Sequence, residues 1–122
     1  VKLEASIIEW RDEHDAQLAV SAGDDLALLK QQAKRGQATL WQCSKDGESE
    51  ALVLTRLDGQ DNPEFVIVLG EGRGFFDYMP LFVHYAKKNN WPIRTHVKRK
   101  GLLRMWSRLG LELDEYVLRG KP

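Results

Sequence analysis

The sequence holds one cysteine, Cys43, among 122 residues, so no internal disulfide is available. With only three scattered histidines, at 14, 84 and 96, it also lacks metal-ligand spacing, and no metal is expected. No apolar run approaches the roughly 20 residues of a membrane-spanning helix. The first residues lack the basic-then-apolar pattern of a secretory leader. Nucleophile-elbow and Walker patterns are absent, and Gly70-x-Gly72-x-Gly74 is only a fragment of a dinucleotide fingerprint. There is no internal repeat, linker or low-complexity segment. These absences leave a single domain over 1–122, expected to be soluble and cytoplasmic, with no membrane partner.

Hydrophobic residues make up 43% of the chain and charged residues 30%, enough for a core without covalent support. The net charge of zero conceals an asymmetry. Residues 1–86 carry 8 Lys/Arg against 15 Asp/Glu, and residues 87–122 carry 10 against 3. Between Lys87 and Leu111 there is no acidic side chain, while positions 87, 88, 94, 98, 99, 100, 104 and 108 are Lys or Arg. Such a stretch is either a solvated surface facing an acidic partner or an anion site.

Periodicity divides the chain. Leu3 to Ile8 reads as an edge strand, followed by a polar segment with Trp10, His14 and Leu18 at helical spacing. Asp24 reads as a helix cap; Leu26, Leu29 and Ala33 form one face with Leu28 beside it, and Gly36 is the stop. From Gln37 the period falls to two. Ala38 to Cys43 and Ala51 to Leu57 flank Asp46-Gly47, a strong hairpin signal. Glu64 to Leu69 is an unbroken apolar run and is expected to be the central strand. A glycine-spaced turn, Gly70 to Gly74, leads to a helix with Asp77 as cap and Pro80 in the first turn, ending at Asn89-Asn90. Then come a strand from Ile93 to Val97, a helix from Lys100 to Gly110, and a final strand within Leu111 to Arg119. Hairpin strands followed by strand–helix–strand crossovers imply an α/β or α+β domain, a mixed sheet with helices on both faces.

That order, the ending Trp106-Ser107-Arg108-Leu109-Gly110-Leu111 and the glycine turn before Asp77 resemble the GNAT superfamily of N-acetyltransferases over roughly residues 23–119. The resemblance implies a mixed, mostly antiparallel sheet splayed so that the pantetheine of acetyl-CoA pairs with Ile67, Val68 and Leu69. The pyrophosphate would rest on Gly72, Arg73, Gly74 and Phe75. The family's turn reads Gln or Arg, two residues, Gly, one residue, then Gly or Ala. Against it, Glu71-Gly72-Arg73-Gly74-Phe75-Phe76 keeps only Gly74. Glu71 would repel a diphosphate unless Arg73 compensates, Phe76 would hold the backbone away, and Asp77 as a cap would occupy the helix N–H groups. At the position of the family's acidic tyrosine stands Trp106, whose indole cannot release a proton at useful pH. No catalytic residue is therefore assigned. Tyr85 and Tyr116 are the substitutes available, Glu48, Glu50 and Asp58 the visible bases, and His84 and His96 read as ordinary helix and strand residues.

Three readings follow. The preferred one is a degenerate GNAT-fold protein that has lost acyl transfer, needs no cofactor, and works in assembly through a protein partner or self-association. Its length and missing cofactor residues are similar to short GNAT-like head-assembly and virion accessory proteins of tailed phages, which would place it in a host cytoplasm or a virion. The second is an active N-acetyltransferase using acetyl-CoA, with Arg73 and Lys98 to Lys100 supplying charge. The third, least favoured, is nucleic-acid binding through the basic 87–108 face, because few aromatics interleave with its charges.

Overall fold

The computed structural model describes residues 2–96, 112–114 and 117–120. The expected helix from Lys100 to Gly110, with Trp106 and most of the basic stretch, lies outside them, as does Tyr116. The chain forms an α+β domain around a seven-stranded sheet with order β1-β2-β3-β4-β5-β7-β6. The strands are β1 (Leu3–Ile8), β2 (Thr39–Lys45), β3 (Glu48–Asp58), β4 (Glu64–Gly72), β5 (Ile93–His96), β6 (Glu112–Asp114) and β7 (Val117–Gly120). Only β4 and β5 pair in parallel; every other neighbouring pair is antiparallel. The single final strand expected from the sequence is instead two strands, β6 and β7, paired with each other.

The first hairpin forms as Asp46-Gly47 predicts. Both residues adopt positive φ, 50° and 86°, and Lys45 faces Glu48 across a two-residue turn. Alternation then sends successive side chains to opposite faces of the sheet. On one face Cys43, Ala51, Val53, Phe65 and Ile67 pack under helix α3 (Met79–Lys88), which contributes Met79, Phe82, Val83 and Ala86. On the other face Leu40, Leu52 and Leu54 meet Leu18, Ala22 and Leu29 from α1 (Asp15–Ala22) and α2 (Leu26–Lys34). Each fully buried Leu or Phe in these layers contributes about 1.5–3 kcal/mol.

Two helix starts differ from expectation. α1 passes into α2 through a 3₁₀ turn, Gly23–Asp25, so Asp24 lies inside helical chain and no side chain caps α2. Leu28, expected beside the buried face, is 54% exposed. α3 begins at Met79 after a 3₁₀ turn, Phe75–Tyr78, with Pro80 in its first turn as expected. Asp77 sits within that 3₁₀ turn and makes no capping hydrogen bond. Its backbone N–H instead donates to Gly74 O at 2.8 Å, because the turn has already begun at Gly74, in the left-handed region with φ 66°.

Candidate functional site

The geometry of β4 defines the site. Its first half is paired on both sides, with Phe65, Val66 and Ile67 facing Ile93, Arg94 and Thr95 of β5. The parallel ladder stops at Ile67–Thr95, while the β3 side continues to Ala51–Gly72. At the same point the β3 register jumps: Thr55 faces Ile67 and Leu54 faces Leu69, leaving Val68 as the extra residue of a bulge. Beyond the bulge, β4 has a partner on one side only among the described residues.

Ladder phase decides which backbone groups face that open side. Arg73 N–H donates to Glu50 O at 3.0 Å, and alternation along the same register makes Leu52–Glu71 and Leu54–Leu69 the bonded pairs. Gly70 and Gly72 therefore turn their N–H and C=O groups away from β3. Of the backbone expected to receive pantetheine, Ile67 lies inside the paired part and is 1% exposed, Val68 is the bulge, and Leu69 faces β3.

The glycines have structural reasons of their own. Gly70 and Gly72 belong to β4, so the expected five-residue turn shrinks to Arg73-Gly74. A methyl group on Gly70 would lie 1.8 Å from Cε2 of Phe75, whose ring covers that position. On Gly72 it would lie 2.2 Å from Glu50 O, where the two strands approach closely. Phe75 and Phe76 meet edge to face at 4.9 Å and both pack on the α3-side core, so the bulk of Phe76 is turned toward α3 packing.

The acidic groups divide between two places. Glu71 projects from the α1 face of β4 and accepts a hydrogen bond from Ser21 Oγ, so it does not stand at the turn where a diphosphate would lie, contrary to expectation. Ser21 also reaches Gly70 O at 3.4 Å, and Gln17 Nε2 donates to Glu71 O at 3.0 Å. α1 is thus fastened to the half of β4 that β5 leaves open. At the turn itself, Tyr78 donates its hydroxyl proton to Glu50 Oε1 at 2.5 Å. A methyl group on Gly74 would be 3.3 Å from Asp77 Oδ2 and 3.7 Å from Glu50 Oε1. Burial, reinforced by Glu50, pushes the Tyr78 phenol well above its ordinary range and keeps it protonated. Arg73 beside them is exposed.

The remaining sequence candidates lie elsewhere. Asp58 is at the opposite end of β4, where Arg56 Nε at 2.6 Å and Arg94 at 2.8 Å hold it; the Arg56 hydrogen bond is the main cause of its lowered pKa. Arg94 also reaches Glu64 at 3.1 Å, but its Nε is buried without a partner among the described residues. Glu48 and His84 are exposed. Tyr85 packs against Trp41, Phe65 and Trp91, at the far end of α3 from the open edge. Cys43 is buried, and burial pushes its thiol up to about 12, which makes it inert. No group of three or more His, Cys, Asp or Glu suited to a metal occurs among the described residues. No helix among them is long and apolar enough to cross a membrane. The sequence alone gave no sign of Gln17, Ser21 or Tyr78, whose partners lie 28–54 positions away.

No protein-family model matches this sequence, and no curated protein matches it either. Solved structures do match over nearly the whole chain. A Bacillus subtilis acetyltransferase in complex with CoA superposes with a TM-score of 0.72 at 10% identity, covering 99% of each chain. An N-acetyltransferase from Staphylococcus aureus gives 0.68 at 10% identity, covering 99% of this chain and 98% of its own. AtaTR bound with acetyl-CoA gives 0.64 at 11% identity, covering 98% and 92%. At such identities the likeness establishes the fold alone.

Proposed function

We propose that this GNAT-fold, acetyltransferase-like chain has given up acyl transfer and serves as an interaction or assembly module. One observation carries the reading: the acid side chains of Glu50 and Asp77 bracket Gly74, the only position that keeps the family's phosphate pattern. Two like charges about 4 Å apart cost about 4 kcal/mol at an effective dielectric of about 20. On the same scale the one guanidinium of Arg73 offsets only one of the two carboxylates. The balance is against a diphosphate, and the residues present do not fit the pyrophosphate of coenzyme A. Ser21 adds to this by reaching the outward carbonyl of Gly70 on the open half of β4. A virion or head-assembly role is the specific form of the proposal, and it rests on the similarity to short phage proteins.

A second reading, an active acetyl-CoA-dependent N-acetyltransferase, is favoured by two features. No side chain caps the Phe75–Tyr78 turn or α3, and among the described residues β4 has no β5 partner beyond Ile67. Two of the obstacles expected from sequence, Glu71 at the phosphate and Asp77 as a cap, are thereby removed.

Calorimetric titration with CoA and acetyl-CoA, each to millimolar ligand, separates the two. The assembly reading expects no binding by the unaltered chain and a gain of affinity in the Glu50→Gln, Asp77→Asn double variant. Micromolar binding by the unaltered chain sinks it.

A further inference from the structure

The strand order ends at β1, so Leu3–Ile8 forms one edge of the sheet. Charge is the one guard against pairing on that edge: Glu4 and the preceding Lys2 are exposed and joined at 3.0 Å, and by parity both project from the face opposite Leu3 and Ala5. The strand has no proline, its register with β2 runs without a bulge, and Ile7 stands 63% exposed on it.

The phase of the β1–β2 ladder fixes which groups point outward. Asp46 N–H donates to Lys2 O at 2.8 Å, making these two a hydrogen-bonded pair. With unbroken register, alternation makes Glu4–Ser44, Ser6–Gln42 and Ile8–Leu40 the bonded pairs. Leu3, Ala5 and Ile7 therefore aim their N–H and C=O groups away from the sheet. These positions are symmetric about Ala5. A second copy laid antiparallel across a two-fold axis at Ala5 sets Leu3 against its Ile7 and Ala5 against its Ala5, and every outward donor and acceptor of the three finds a partner.

The neighbouring registers are worse. A shift one way sets Glu4 against Glu4 of the other copy, placing like charges on the axis. A shift the other way leaves Leu3 beyond the end of the partner strand. Side chains agree with the central register. Leu3 and Ala5 pack on the α3 face of the sheet, and Ile7 shares their parity. Beside them runs a groove of about 380 Å³ whose apolar wall is Leu3, Ala5, Trp41 and Phe82, with Glu4, His84 and Lys88 also lining it. Ile7 of the second copy, opposite Leu3, extends the apolar wall of that groove.

We infer that β1 is a homodimerisation edge, where two copies of this chain join their sheets through antiparallel β1–β1 pairing centred on Ala5. The inference does not depend on coenzyme binding, since β2 and β3 separate β1 from β4.

Sedimentation velocity of the 122-residue chain, from low micromolar to near-millimolar concentration, tests it. The unaltered chain should dimerise. Ala5→Pro should be monomeric with an unchanged circular dichroism spectrum, because the N–H it removes points away from β2. Ile7→Lys should raise the dimer dissociation constant on the order of tenfold, since the two-fold axis counts each altered pair twice. An unaltered chain that remains monomeric throughout overturns the inference. So does a dimer that survives both Ala5→Pro and Ile7→Lys.

Discussion

The two halves of β4 have the same backbone and different tasks. From Phe65 to Ile67 the strand is bonded on both sides and buried, and an ion network of Arg56, Asp58, Arg94 and Glu64 closes its outer end. From Val68 to Gly72 it keeps β3 and loses β5, its side chains are partly exposed, and two of its five residues are glycine. A strand can hold a core and offer an open edge only if something divides the two, and here the division falls at Val68.

Truncations in the two halves should differ most. Ile67→Ala should cost about 2–5 kcal/mol of stability in urea denaturation, as for other buried aliphatic side chains. Val68→Ala, one residue on and half-buried, should cost under about 1.5 kcal/mol. Equal losses would erase the proposed boundary. Next in size is Gly70→Ala, whose methyl group must displace the Phe75 ring, at about 1–3 kcal/mol. Combining it with Phe75→Ala should cost less than the two single changes together, because the second removes the collision. Strict additivity would show that the ring is not the obstacle.

Ser21→Ala should remove about 1–2 kcal/mol through the bond to Glu71. Amide exchange at Leu69 and Glu71, whose N–H groups bond to β3, should rise with it, while exchange at Val66 stays unchanged. Uniform acceleration would mean that α1 supports the whole sheet rather than its open half.

The smallest effect is a pH dependence. Cys43 and Tyr78 both have folded-state pKa values above their unfolded ones, Cys43 rising from 9.0 to about 12. Their contribution is complete below pH 9 and declines as pH rises from there toward 12, by at most about 1.4 kcal/mol per pH unit for each group. In Cys43→Ala the alkaline decline should begin about one unit higher, where Tyr78 starts to titrate in the unfolded chain. An unaltered onset would remove Cys43 from the account.

The strands, the Asp46-Gly47 hairpin and the central place of Glu64–Leu69 were legible because local alternation and turn chemistry specify them. The fold class was legible too, as the order of elements. The site was much less so. A glycine needed for positive φ and one needed for close approach look identical in a sequence, so Gly70 and Gly72 read as a phosphate turn although Phe75 and Glu50 require them. Asp24 and Asp77 resemble caps, but each lies in a 3₁₀ turn where the chain is already helical. The contacts of Ser21 with Glu71 and of Tyr78 with Glu50 join segments distant in sequence, which no local pattern encodes.

Insertions and deletions are usually tolerated in loops and forbidden in strands, because one residue more or less inverts every side chain beyond it. Val68 behaves as an insertion already absorbed. Deleting it would leave the two faces as they are: Leu69 would follow Ile67 directly, still opposite Leu54 on the α1 face, and Gly70 would stay bare beneath Phe75. The reading frame of β4 therefore changes in mid-strand, and the residues on either side of that change can vary only within their own frame.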